Sequence, residues 1–261
     1  VGEIIWRLDR GVGPVVATAI HDGHAVREEV IRHMALDEPS RLREEDPFTG
    51  RWTEIAPTRV VGTRSRFEVD LNRPRETAVY RTPEDAWGLE VWGDMPPEDV
   101  IGRSLEAYDA FYAALKMLYR ELAKRYGSFL VLDLHSYNHR RAGVDGPPAD
   151  PLENPQINVG TGTMRDRDRW ERVIDRFMDD LTGYDFPGGA LDVRENVRFR
   201  GGACAAWTHR TFPEAACVLS IEVKKFFMDE LTGRADEMLV DAIGDALQSA
   251  VAGALEELER R

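Results

Sequence analysis

Three short apolar runs, each ending at a residue that can do chemistry, constrain the fold more than any other feature of the chain. Residues 15–20 (VVATAI) stop at His21, residues 129–134 (FLVLDL) stop at His135, and residues 217–223 (CVLSIEV) carry Glu222 near their end. Runs this short, apolar at nearly every position, suit strands buried on both faces. Amphipathic patterns lie between and after them. Residues 105–126 repeat apolar side chains at three- and four-residue steps and meet a C-capping Gly127; residues 170–181 and 236–258 read as further helices. Residues 28–35 read as a short helix. Residues 59–61 and 67–71 read as strands, the second alternating Phe67, Val69 and Leu71 with polar neighbours. The expected fold is α/β, a mixed and largely parallel sheet with helices on both faces. No repeat or low-complexity tract divides the chain. The Pro-rich stretch 148–155 reads as a surface excursion, so residues 1–261 are expected to form a single domain.

In such sheets ligands collect at the carboxyl ends of strands, which is where His21, His135 and Glu222 fall. His21-Asp22-Gly23-His24 offers two imidazoles on a turn, with Gly23 expected to permit the sharp bend. His21 is the stronger ligand candidate and His24 the weaker. Asp133 precedes His135 by two residues, shares its face of the strand, and is placed to orient the ring. Glu222 is the lone charge in an apolar run. That is costly unless the carboxylate is paired or functional, and a general base for a metal-activated water needs such a place, partly desolvated, with its pKa raised toward neutrality. The structural alternative is a buried ion pair between Glu222 and Arg66, Arg73 or Arg200. In residues 65–74 (SRFEVDLNRP), Asn72 and Arg73 stand together at an expected strand end, a donor set that suits a carboxylate or a developing oxyanion.

The chain has 34 basic and 47 acidic side chains, a formal net charge of −13. This balance excludes non-specific binding to nucleic acid or to an anionic membrane, and leaves a small-molecule substrate as the expected partner. A few arginines in a cleft outweigh the global field locally, since charges beyond about 10 Å are largely screened. Cys204 and Cys217 are too few and too far apart for a CxxC ligand pair or a disulfide framework. They read as buried thiols of a cytoplasmic protein. No apolar run approaches the roughly 18 residues of a membrane span, and residues 1–20 lack the features of a signal peptide.

HDG at 21–23, EEDPFT at 44–49, SRFEVDLNRP at 65–74, DLHSYN at 133–138, FRGG at 199–202 and EVKKFFMDE at 222–230 occur in an order that resembles the N-formylglutamate amidohydrolase family. SRFEVDLNR is the most specific of these. The resemblance implies a phosphorylase/hydrolase-like fold similar in plan to zinc carboxypeptidases and aspartoacylases. It also implies zinc, or another divalent transition metal, held by His21 and His135. Where zinc carboxypeptidases place a Glu ligand this chain has His24, and amidohydrolases of this family carry an acidic residue near Asp46, so both stand as candidates for the third ligand. Asn72 and Arg73 would form the substrate clamp, with Arg66 and Arg200 as further substrate-binding residues. Arg73 would also steady the oxyanion, and Glu222 would be the base. The implied reaction is hydrolysis of N-formyl-L-glutamate or a similar acyl amino acid. A zinc carboxypeptidase acting on a short peptide and a non-catalytic metal- or amino-acid-binding chain are the alternatives. HDGH and HSYNHRR depart from the family pattern.

Overall fold

Apolar runs become central strands because both of their faces are covered. The computed structural model describes residues 3–143 and 146–261. Its strands are β1 (Trp6–Asp9), β2 (Val15–Ala19), β3 (Thr58–Gly62), β4 (Phe129–Tyr137), β5 (Ile157–Gly160), β6 (Val193–Glu195) and β7 (Ala216–Lys224). They form one sheet in the order β1-β3-β2-β4-β7-β5-β6. The four central strands are parallel, while β1 and β5 run antiparallel to their central neighbours and β6 runs parallel to β5. The helices are α1 (Glu28–Ile31), α2 (Glu38–Glu44), α3 (Thr49–Trp52), α4 (Glu98–Tyr126), α5 (Glu171–Thr182), α6 (Ala203–Thr211) and α7 (Glu237–Glu259).

Strand alternation divides the core. Leu130, Leu132 and Leu134 of β4 face α5 and α7 together with Cys217, Leu219 and Ile221 of β7. Phe129 and Val131 face α4 and α6 with Val16 and Val218. On this second face the chemistry changes along the strands. The row Val16–Val131–Val218 is apolar; the next, Thr18–Asp133–Ser220, is polar; His135 and Glu222 follow as direct register partners. The helices bury the apolar row, the Thr18–Asp133–Ser220 row is buried above it, and His135 and Glu222 line a cleft. α7 is long and apolar enough, by length and composition alone, to cross a bilayer. Here its apolar positions Val240, Ile243, Leu247 and Val251 pack against α5 and the sheet. Asp236 caps its first turn, accepting from the N–H groups of Met238 and Leu239.

Four local expectations are corrected. Residues 67–71 form a turn, with the Glu68 and Val69 N–H groups both directed to the Ser65 carbonyl. Their polar alternates are buried too: Glu68 binds Arg27 and Asp70 binds His21, so the period of two marks two packed sides and not a half-exposed strand. The helix expected at 28–35 stops at Ile31, because Met34 and the Ala35 N–H pair with the 91–92 segment. β4 continues through His135 to Tyr137. Gly23 is needed for close approach: a Cβ there would lie 2.5 Å from the Arg64 backbone nitrogen. Strands β1, β5 and β6 and helix α6 carry too few apolar positions to have been read from pattern.

Gly23→Ala must displace either the His21 turn or the segment after β3. We expect a loss of about 1–3 kcal/mol, the usual cost of overpacking, measured by urea denaturation. An unchanged midpoint would show that the approach is not tight.

Candidate metal centre and substrate cleft

His21 and His135 meet because β2 ends early. Alternation would aim His21 to the face of Ala17 and Ala19, but the strand stops at Ala19 and a turn swings the imidazole across. The two rings lie 5.0 Å apart between centroids. Asp46 sits between them: its Oδ2 is 2.9 Å from His135 Nδ1 and 3.3 Å from His21 Nδ1. All three side chains are buried, and one ligand atom from each falls within 4.8 Å of the other two. Asp46 is delivered by the turn after α2. Its N–H donates to the His21 carbonyl at 3.0 Å, and Asp22 Oδ1 accepts from the Gly50 N–H at 2.9 Å. The buried Lys225 ammonium donates to the carbonyls of Arg43 at 2.5 Å and Glu45 at 2.8 Å, pinning the same segment from the other side.

The far nitrogen of each imidazole meets a second carboxylate. His21 Nε2 is 2.7 Å from Asp70 Oδ1, and His135 Nε2 is 3.3 Å from Asp133 Oδ2. The first contact is a hydrogen bond and fixes the His21 ring with Nδ1 toward Asp46, whereas Asp133 Oδ2 stands at ion-pair distance and takes no hydrogen bond. Burial alone pushes the Asp46 carboxyl up, but hydrogen bonds to His135 and His21 overcome it and hold the group far below the usual carboxylate range. Burial likewise acts against the charged forms of Asp70 and Asp133. Arg66 and His21 hold the first down, and His135 the second. Asp133 foremost, with Asp46 and Glu222, raises His135 well above an ordinary imidazole against the effect of its burial.

His24 lies outside the group. Its ring is partly exposed and pairs with Glu45 through Nδ1 and with Glu38 through Nε2 at 3.3 Å. Glu45 also accepts from Ser65. Arg66 spends its charge on Asp70 at 2.8 Å and stacks over Trp87. It lines the cleft while acting chiefly as a prop for the carboxylate that orients His21. Asn72 is turned toward the start of α6, where its Oδ1 accepts from the Cys204 N–H at 3.0 Å; its Nδ2 lies 3.5 Å from His135 Nε2. Arg73 remains half-exposed at the mouth, 4.0 Å from Asp70.

Glu222 shares this cleft of about 640 Å³ with His21, Asp46, His135, Asn72 and Arg73. Among the described residues it forms no ion pair, and none of Arg66, Arg73 or Arg200 neutralises it. Burial pushes its carboxyl up to about 7; His135 opposes this, while Asp46 and Asp133 add to it.

Residues 13–228 match the sequence profile of the N-formylglutamate amidohydrolase family. The chain belongs to this family. Two solved structures share its fold. An N-formylglutamate amidohydrolase from Ralstonia eutropha JMP134 superposes with a TM-score of 0.75 at 18% identity, covering 98% of each chain. A gene product of Agrobacterium tumefaciens superposes at 0.66 and 19% identity, covering 98% of this chain and 95% of that one. A search of curated proteins found no match.

Membership clarifies why the matched segments cluster. SRFEVDLNRP supplies Asp70 as well as the Asn72-Arg73 pair, and EVKKFFMDE supplies Lys225 beyond Glu222. Neither Asp70 nor Lys225 was singled out from the sequence. The signal for both was a charge set directly beside buried apolar positions.

The raised carboxyl of Glu222 makes a stability prediction for the metal-free protein. An unfolded Glu titrates near 4.5 and the folded one at about 7. The bound proton favours folding fully below pH 4.5, and that advantage is lost as pH rises through 7. Glu222→Gln should therefore be more stable than wild type at pH 8, with the gap narrowing at pH 5. Urea midpoints at the two pH values test this, and a gap that does not change with pH contradicts it.

Proposed function

We propose that the chain hydrolyses the amide bond of an N-acyl amino acid similar to N-formyl-L-glutamate, with a divalent transition metal held by His21, Asp46 and His135. The donor set fits such an ion. Two imidazole nitrogens and a carboxylate converge out of water, and a second carboxylate stands beside each imidazole. Zinc suits these ligands. The metal, when bound, supplies Lewis acidity to a carbonyl oxygen and to water.

The observation that carries the hydrolase reading is Glu222, placed as the register partner of His135 and ionising near neutrality. A carboxyl in that range accepts a proton from water as the oxygen attacks and returns it to the departing amine nitrogen. Water adds across the C–N bond: the acyl carbon takes the hydroxyl and the amine takes the hydrogen, giving formate and L-glutamate from N-formyl-L-glutamate. Arg73, with Asn72 beside it, holds the substrate carboxylate or the oxyanion. The peptide bond of a short peptide belongs in the same assay panel.

Glu222→Gln should keep full metal content and lose about 10²–10⁴-fold in kcat. Undiminished turnover at full occupancy would remove Glu222 from the mechanism. Elemental analysis separates the two ligand candidates: Asp46→Ala should lose the metal and His24→Ala should retain it. The opposite pattern would make His24 the third ligand.

A further inference from the structure

His209 of α6 is buried, and both of its ring nitrogens are engaged. Nε2 lies 3.2 Å from the Val218 nitrogen of β7, and Nδ1 lies 2.9 Å from Thr163 Oγ1. A backbone N–H can only donate, so Nε2 presents its lone pair. Burial lowers the imidazole to about 4, so the ring is neutral near pH 7 and its single proton sits on Nδ1. The Thr163 backbone carbonyl faces the same imidazole and favours that tautomer too. Thr163 Oγ1 is therefore the acceptor in its pair with His209, and its own hydrogen has to point elsewhere. Among the described residues the hydroxyl has no other hydrogen-bond partner, and Thr163 lines the cleft.

The hydroxyl stands on a recess of the cleft between α6 and the loop 198–202, walled by Gly201, Gly202, Ala203 and Ala206. The buried Asn158 of β5 fixes that loop. Its Oδ1 accepts from the Arg198 N–H at 2.9 Å, and its Nδ2 donates to the Phe199 carbonyl at 2.8 Å. Gly201, at a φ of +107°, leaves two hydroxyls uncovered: a Cβ there would lie 3.3 Å from Thr163 Oγ1 and 3.4 Å from Ser220 Oγ. Ser220 is 1% exposed, and among the described residues its hydroxyl has no partner. It precedes Glu222 by two residues on the same face of β7, roughly 6–7 Å along the strand. At its other end the recess abuts the proposed clamp: a Cβ on Gly202 would lie 2.3 Å from Asn72 Nδ2, and the Cys204 N–H donates to Asn72 Oδ1. A substrate whose α-carboxylate is held by Asn72 and Arg73 carries its side chain on the adjacent carbon. The side chain is therefore the group that enters the recess.

We propose that this recess is the pocket for the amino-acid side chain, that Thr163 is the hydrogen-bond donor that sets its specificity, and that His209 is the positioning residue that makes the hydroxyl an obligate donor. The selected side chain ends in an acceptor oxygen, a carboxylate or a carboxamide. An apolar side chain of similar shape leaves the Thr163 hydrogen unpaired and is disfavoured. The inference rests on the hydrolase reading above for the place of the clamp.

The test uses the metal-loaded full chain with N-formyl-L-glutamate, N-formyl-L-glutamine and N-formyl-L-norvaline, the last ending in a methyl where the others carry their oxygens. The glutamine compound separates the hydroxyl from the charge of Arg200, which lines the same cleft. Turnover and calorimetric binding are both measured. Wild type should favour glutamate over norvaline by about tenfold or more and glutamine over norvaline by about fivefold, the weights of a charged and a neutral hydrogen bond. Thr163→Val should abolish the glutamine preference and cut the glutamate preference about tenfold, while Thr163→Ser retains both. His209→Leu should raise KM for the two oxygen-bearing compounds and leave kcat and the norvaline constants near wild type. Equal handling of the three compounds by wild type, preferences that survive Thr163→Val, or a loss in Thr163→Ser as large as in Thr163→Val overturns the pocket. A uniform loss on all three compounds in His209→Leu overturns its positioning role. If nothing is turned over yet binding follows the expected pattern, the pocket stands and the hydrolase reading falls.

Discussion

The site depends on one buried carboxylate, Asp46, shared between two imidazoles. Taken alone, such a group out of water costs several kcal/mol. It is tolerated because His21 and His135 direct Nδ1 toward it and because Asp70 and Asp133 stand at the opposite nitrogens. Arg66 in turn neutralises Asp70. Asp46, Asp70, His21 and Arg66 form a chain in which removing one member strands the next. The three candidate ligand atoms lie within 4.8 Å of one another in this arrangement.

The end of β7 organises the surrounding loops. Glu222 faces the cleft, Lys225 fastens the carbonyls before Asp46, and Glu230 accepts from the N–H groups of His139 and Arg140 at 2.8 Å, holding the loop after β4. A single stretch of nine residues thus carries the proposed base and holds the segment bearing Asp46 and one rim of the cavity. Asn158 performs the corresponding task on the other rim through the backbone of residues 198–199.

The central strands and the long helices were legible because their periods are strong and their apolar content high. His21, His135 and Glu222 were legible because a polar residue that interrupts or ends a buried run needs a reason. The short strands β1, β5 and β6 were not legible, since three or four residues carry no periodic signal. The turn at 67–71 was misread because alternation reports two environments without saying that one of them is solvent. The third member of the His-Asp-His group was left open between His24 and Asp46. Proximity in sequence favoured the first, and Asp46 arrives through a loop whose path is fixed by Lys225 and Asp22, contacts that no local pattern announces.

The arginines of the cleft acquire a further meaning from the charge of the whole chain. The surface is anionic overall, while Arg73, Arg141, Arg198 and Arg200 line one concavity. Screening acts on both signs: beyond about a Debye length, some 8 Å at physiological ionic strength, neither the outer carboxylates nor the guanidinium groups are felt strongly. Within the cleft the four guanidinium groups therefore set the local potential, whatever the charge of the rest of the chain.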